Sequence, residues 1–445
     1  MSTARPIAII GAGPVGLAAA SHLLERGESP LVLEAHDAAG AAVREWQHVR
    51  LFSPWRYNVD AAARSLLRDA GWTPPPDDDL PTGRAFREKY LLPLAENTPL
   101  RDHVRYGSRV VAVGRRGHDK MKNGERTTQP FVLKVARADG TDWIEARAVI
   151  DASGTWFQPN PIGAGGIAVP GEETHADAIT YGIPDVLGAD REHYAGVTTT
   201  VVGSGHSSMQ VVLDLVRLRD AVPGTRVVWV MRSASVTPAD FGGGDDDALP
   251  ARGALGQHAY DALRHGHVRL MSPFRIQSVT SGRDTRLSIQ GDHDGESAAF
   301  STDRVVATTG FRPDLTMLRE VRTAIDPVTE SVADLAPLID PNVHSCGTVP
   351  PHGVDELTHP EDGFFIAGMK SYGRAPTFLL ATGYEQVRSI AAHLTGDHEA
   401  AQRIELNLPA TGVCSAPVPL PVAADACCTP TDAPAETVTA GGCCA

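Results

Sequence analysis

The sequence Gly11-Ala12-Gly13-Pro14-Val15-Gly16 stands between an apolar run, Pro6 to Ile10, and a helical pattern, Leu17 to Arg26. A second apolar run, Leu31 to Leu33, then ends on Glu34. The chemistry such residues can do is to hold phosphates and a ribose. Gly11 permits a tight turn, Gly13 lets backbone N–H groups approach a pyrophosphate, and Gly16 lets the helix pack closely on the strand. The helix N-terminus adds a partial positive charge. Glu34 follows Gly16 by 18 residues, close to the spacing of an acid that hydrogen-bonds ribose hydroxyls. Glycines alone would fit any turn in an α/β protein; the strands, helix and terminal acid in register point to a dinucleotide.

The pattern returns mid-chain. A β-branched run, Thr198 to Val202, leads into Gly203-Ser204-Gly205-His206-Ser207-Ser208, and Met209 to Leu218 reads as a helix. Ser208 occupies the third glycine position, which a small residue can fill if the helix packs slightly farther away. The next strand, Val227 to Met231, ends on Arg232 instead of an acid. A guanidinium complements a 2′-phosphate that a carboxylate would repel, so Arg232 favours NADPH, the alternative being a solvated charge at a strand end. Two nucleotide sites of different type imply a resident flavin and a diffusible reductant: FAD on the first motif, NADPH on the second.

Further strands are expected at Arg109 to Val113, Phe131 to Ala136, Ala146 to Ile150, Arg304 to Ala307 and Gly363 to Gly368, with a hairpin loop from Gly114 to Gln129 and a helix from Tyr384 to Leu394. The expected architecture is α/β with two dinucleotide-binding Rossmann-like domains. Residues 1–165 form the first part of an FAD-binding domain, 166–300 an NADPH-binding domain, 301–400 the return segment of the FAD-binding domain, and 401–445 a flexible Cys-rich tail.

The 445 residues include 54 acidic and 40 basic side chains, a formal net charge of −14. With no basic run, nucleic acid and an anionic membrane surface are poor partners. No apolar stretch approaches the roughly 18–20 residues of a membrane span, and the N-terminus lacks the pattern of a secretory signal, so a cytoplasmic location is expected. Of six cysteines only Cys346 precedes the tail; Cys414, Cys427, Cys428, Cys443 and Cys444 crowd the last 32 residues. That is no disulfide framework for a core. The adjacent pairs offer soft thiolates for a thiophilic metal or metalloid, the alternative being exposed redox-labile cysteines. Cys346, in a Gly- and Pro-rich loop, reads equally as a thiol near the substrate or as a core residue. Asp245-Asp246-Asp247 reads as a solvated loop.

These motifs, in this order, together with Thr309-Gly310-Phe311-Arg312-Pro313-Asp314, resemble the flavin-containing monooxygenases and the wider two-dinucleotide-binding flavoprotein superfamily of glutathione-reductase type, over roughly residues 5 to 395. Leu51-Phe52-Ser53-Pro54 after Trp46, and Tyr90, are similar to the monooxygenase branch. Gly242-Gly243-Gly244, Ala248 to Gly253 and Lys370 to Thr377 resemble the flavin-dependent monooxygenases of arsenic-resistance gene clusters. Val169 to His175 keeps the Gly171 and His175 spacing of the family's Phe-x-Gly-x-x-x-His element without its Phe, leaving His175 with no fixed function. After Gly368, taken as a further FAD contact, Met369 stands where the superfamily has an acid, so another group, such as a backbone N–H, has to meet the flavin ribityl chain.

The resemblance implies that NADPH passes hydride to FAD and that a flavin C4a-hydroperoxide, formed with O₂, transfers oxygen to a soft nucleophile such as a trivalent (organo)arsenical. No catalytic side chain is required for this, and Cys346 is the one candidate. The alternative enzyme is an NADPH-dependent flavin reductase of a thiophilic metal ion or disulfide that uses the C-terminal thiols. A third reading is a metalloid-sequestering or redox-sensing flavoprotein. Oligomeric state is open.

Overall fold

Strands made of unbroken Val, Ile and Leu runs have no polar face, so they must lie inside a parallel sheet covered on both sides. The computed structural model describes residues 5–406, except 235, 243–246, 248, 283–285, 344–348 and the side chains of 238 and 239. Its strands are β1 (Ile7–Ile10), β2 (Pro30–Leu33), β3 (Val104–Arg105), β4 (Arg109–Arg115), β5 (Phe131–Arg137), β6 (Gly140–Ala146), β7 (Ala148–Asp151), β8 (Ile179–Tyr181), β9 (Thr198–Val202), β10 (Arg226–Val230), β11 (Arg269–Met271), β12 (Phe274–Ser281), β13 (Leu287–His293), β14 (Glu296–Thr302), β15 (Arg304–Ala307) and β16 (Phe364–Ile366). The long helices are α1 (Pro14–Glu25), α2 (His206–Ala221), α3 (Pro250–Arg264) and α4 (Leu380–Leu394).

Two units repeat one plan. The first has a five-stranded parallel sheet ordered β16-β7-β1-β2-β3, with the antiparallel meander β4-β5-β6 beside it. The second has the parallel sheet β11-β10-β9-β15-β8 and the meander β12-β13-β14. In each, the glycine motif follows a central strand, β1 or β9, where strand order reverses and ligands of open α/β sheets bind. Helix α1 is clamped between the first sheet and α4, which buries nearly its whole surface.

Strand β15 corrects the expected division of the chain. It pairs with β9 and β8, so the return to the first unit begins beyond Ala307 and not at residue 301. The two crossing segments meet as an isolated antiparallel bridge, Pro159 with Phe311. Asn160 ties them together: its N–H donates to the Gly310 carbonyl at 2.9 Å and its Oδ1 accepts from Arg312 Nε at 2.8 Å. The Trp156 ring stacks on Phe311 at 4.6 Å.

Among the described residues, no helix is long and apolar enough to cross a membrane.

Candidate functional site: two glycine cradles on one apolar cleft

Each cradle begins with a glycine that no other residue can replace. Gly11 has φ +100° and Gly203 φ +134°, and a Cβ on them would lie 2.9 Å from the Ala152 carbonyl and 2.5 Å from the Thr308 carbonyl. Gly13 and Gly205, two residues on, have nothing within 4 Å of a Cβ, which leaves their outer faces open to a ligand. Gly16 carries the helix against the turn, for its Cβ would meet the Gly11 carbonyl at 2.0 Å. At the matching position the buried Ser208 donates its hydroxyl to the Gly205 carbonyl at 2.6 Å, so a side chain is accommodated by bonding it back into the turn. Both helices start at the motif itself, α1 with Pro14 in its first turn, earlier than the apolar pattern indicated. Their unsatisfied N–H groups and positive dipole ends face the two cradles.

Glu34 closes the first cradle. Its Oε2 accepts the Ala12 N–H at 2.7 Å and its Oε1 accepts from His36 N and Nδ1 at 2.9 and 2.8 Å. These bonds fix the carboxylate at the end of β2 while leaving acceptor capacity on Oε2. The cavity continues past Gly13 and Pro14, along Ser153 and Gly154, to Gly368, Met369, Lys370, Phe378 and Leu380. A groove lined by the acid that ends β2, by the open-faced glycine turn and by the segment from Gly368 to Leu380 has the residue types that a dinucleotide requires.

The backbone N–H of Gly368 is not free to meet a ligand, because it donates to Gln386 Oε1 at 2.8 Å. Gln386 in turn donates to the buried His352 Nε2 at 2.9 Å. Burial holds His352 below the usual histidine range, consistent with a neutral ring accepting that bond. The groove lining also carries the charged side chains Arg109, Asp314 and Lys370; Lys370, two residues past Gly368, was given no part in cofactor binding by the sequence reading.

In the second cradle Arg232 lies two residues past the end of β10, exposed, with Nη1 donating to the Ala164 carbonyl at 3.1 Å. It shares an open cavity with Ser204, Ser233 and Arg275. Arg275 was missed: it belongs to β12, in the separate meander, and comes beside Arg232 where the Phe274 N–H donates to the Met231 carbonyl at 2.8 Å.

Between the cradles is a third, apolar cavity of about 270 Å³. Pro14, Phe378 and Leu380 line both this cleft and the first groove, while His206 and Ser207 bring the second motif to it. Trp46, Leu51, Phe52 and Phe86 supply its first-unit wall, and Leu255 of α3 enters from the other side. Its described lining includes no carboxylate, and Arg50 is its one formally charged side chain.

Other expected residues fall elsewhere. His175 is structural, with Nδ1 2.8 Å from the Gly171 carbonyl and Nε2 3.1 Å from Ser281 Oγ. Tyr90 is fully buried in a π-helical turn, its hydroxyl accepting the Asp60 N–H, away from the cleft wall. Asp247 is not solvated: its side chain is buried in a two-point ion pair with Arg252, 2.8 Å at each contact, which anchors the start of α3. Asp245 and Asp246 lie outside the described residues, as do Cys346 and the tail thiols Cys414, Cys427, Cys428, Cys443 and Cys444. Among the described residues, no group of His, Cys, Asp or Glu could hold a metal ion.

Residues 9–71 match the family model of the NAD(P)-binding Rossmann-like domain. No curated protein matches the chain. Solved structures do so over nearly its whole described length. Bacillithiol disulfide reductase from Bacillus cereus is 21% identical, covers 88% of this chain and 99% of its own, and superposes with a TM-score of 0.64. DfoA, the cadaverine monooxygenase of the desferrioxamine pathway of Erwinia amylovora, determined bound to FAD, is 14% identical with a TM-score of 0.62, covering 92% of this chain and 100% of its own. The ornithine N-hydroxylase of Kutzneria is 17% identical with a TM-score of 0.57, covering 89% and 100%. The chain has the fold of two-domain flavoproteins. In that flavoprotein fold the first unit carries the long groove, the second unit the basic-ended cradle, and the apolar cleft lies where they meet.

Proposed function

We propose that the chain is an FAD- and NADPH-dependent monooxygenase that transfers one oxygen atom of O₂ to an uncharged soft nucleophile, a trivalent (organo)arsenical. One observation carries this reading: both glycine cradles open onto the same small apolar cleft. The first groove suits FAD because Glu34, the glycine turn and the cleft-facing Phe378 and Leu380 lie along one continuous wall. The second suits NADPH because Arg232 lines one cavity with Ser204 and with Arg275, which is also paired with Asp292 at 3.4 Å, and a guanidinium complements a 2′-phosphate.

Bound there, FAD would take a hydride from NADPH and supply the reduced flavin that activates O₂. The balance is NADPH, H⁺, O₂ and the arsenical giving NADP⁺, water and the pentavalent oxide. The chain's own residues bind and orient the two cofactors and keep water from the reacting end. Trp46, Phe52, Phe86 and Phe378 do the latter, since their rings cover much of the cleft and offer water few hydrogen-bond partners.

Substrate class follows from charge. An ammonium in this cleft would be desolvated without a carboxylate partner, at a cost of several kcal/mol, so diamines and amino acids are disfavoured. A neutral arsenical presents a lone pair and, if organic, an apolar substituent. Two of the three segments that resemble the arsenic-linked subgroup lead to residues of the cleft: Pro250 to Gly253 opens α3, which carries Leu255, and Lys370 to Thr377 runs into Phe378, while Gly243, Gly244 and Ala248 lie outside the described residues. The thiol-bearing tail would capture such a substrate.

The test compares phenylarsonous acid, ornithine and a disulfide as acceptors for the FAD-loaded, full-length chain with NADPH. Faster NADPH oxidation with the arsenical, in air only, supports the proposal. Equal turnover of the disulfide without air supports the reductase reading instead.

A further inference from the structure

The wall of the first groove contains a buried ion pair that the glycine motifs do not account for. Lys370 follows β16 in a short 3₁₀ turn, Gly368–Tyr372. Its ammonium lies 2.7 Å from Asp151 Oδ2 and 3.0 Å from Ser153 Oγ. The side chains of Lys370 and Asp151 are 1% and 0% exposed. Asp151 ends β7, paired directly with the last residue of β1, so the pair sits under the turn that begins at Gly11. Ser153 completes the bracket by donating its hydroxyl to Asp151 Oδ1 at 2.7 Å.

Taking both charges out of water is expensive, and two apolar residues would fill the volume at least as favourably. An ammonium also has three protons to donate, and the two contacts to Asp151 and Ser153 use two of them. Lys370 lines the same groove as the glycine turn, where phosphates would lie, and as Phe378, which also lines the cleft. Its third donor is left for an oxygen-rich ligand in that groove.

We propose that Lys370 is a cofactor-binding residue. Asp151 and Ser153 hold its ammonium so that it bonds an oxygen of the dinucleotide between pyrophosphate and ring. The inference rests on the assignment of FAD to this groove. Its test is a titration of FAD into the apo form of the full-length protein, followed by quenching of flavin fluorescence, which needs no turnover. The paired variant Asp151→Asn with Lys370→Met removes both charges at nearly constant shape. Lys370→Gln keeps a donor for Asp151 and serves as a second probe if the paired variant does not fold, with circular dichroism checking both. At least a tenfold weaker FAD affinity in a folded variant is the expected result. Wild-type affinity in a folded variant overturns the inference and leaves the FAD assignment standing. A wild-type chain that takes up no FAD removes the assignment, and the inference with it.

Discussion

The Phe52 ring of the first unit lies 5.5 Å from the His206 ring in the second, so an aromatic side chain of one unit touches the first residue of α2, the helix that would carry NADPH. This contact spans the cleft and makes its width depend on Phe52. Phe52→Ala should raise the arsenical KM about tenfold, the cost of losing roughly 1.5 kcal/mol of apolar contact. It should also let water in, so more NADPH is oxidised per product formed. Product and NADPH measured in the same reaction check both effects.

Arg232 and Arg275 line one cavity with Ser204. Replacing either with alanine should raise the NADPH KM by about tenfold to a hundredfold, since a charge-assisted hydrogen bond contributes roughly 1.5–3 kcal/mol, and leave the NADH KM nearly unchanged. Steady-state kinetics with the two coenzymes give the comparison directly.

Gly13 and Gly16 separate binding from folding within one motif. A Cβ at Gly13 meets no protein atom, whereas one at Gly16 would overlap the Gly11 carbonyl at 2.0 Å. Gly13→Ala should give a folded chain that binds FAD poorly. Gly16→Ala should displace α1 and lower Tm whether or not FAD is present. Thermal melts with and without FAD read both.

Two histidines should give stability opposite pH dependences. Burial pulls His22 down, but the Asp60 charge and hydrogen bond, with Glu25, outweigh it and hold the ring above the usual range. Its contribution is complete below the unfolded value of about 6.5 and fades as pH rises through the higher folded value. His22→Gln should therefore cost more stability at pH 5.5 than at pH 8. Burial pushes His359 down to about 4. That neutral ring is favourable above about 6.5, and the advantage is lost as pH falls toward its folded value. His359→Leu should flatten the acid-side loss in urea unfolding measured across that range.

The parts legible from sequence are those set by local pattern. The runs Thr198 to Val202 and Arg304 to Ala307 match strands to the residue because their β-branched side chains are buried on both faces. That the second of them joins the second sheet was not legible, since its partner lies over 100 residues earlier and parallel pairing leaves no turn between them. The glycine cradles were legible because sterics leave few residue choices at Gly11 and Gly203. Lys370 was not, as a lysine normally reads as solvent-facing and its partner Asp151 is brought to it only by the register of β16 beside β7. Asp247 was misread because an acidic run suggests solvent, although Arg252 five residues on was a usable signal.

The central claim is that reduced flavin in this chain spends its electrons on O₂ for the benefit of a soft acceptor. The direct measurement is the stoichiometry of NADPH oxidised, O₂ consumed and pentavalent arsenical formed by the FAD-loaded, full-length protein with phenylarsonous acid. The account predicts one to one to one, with no product in the absence of O₂. Product-free NADPH oxidation, or sustained anaerobic turnover on a disulfide or metal ion, would contradict it.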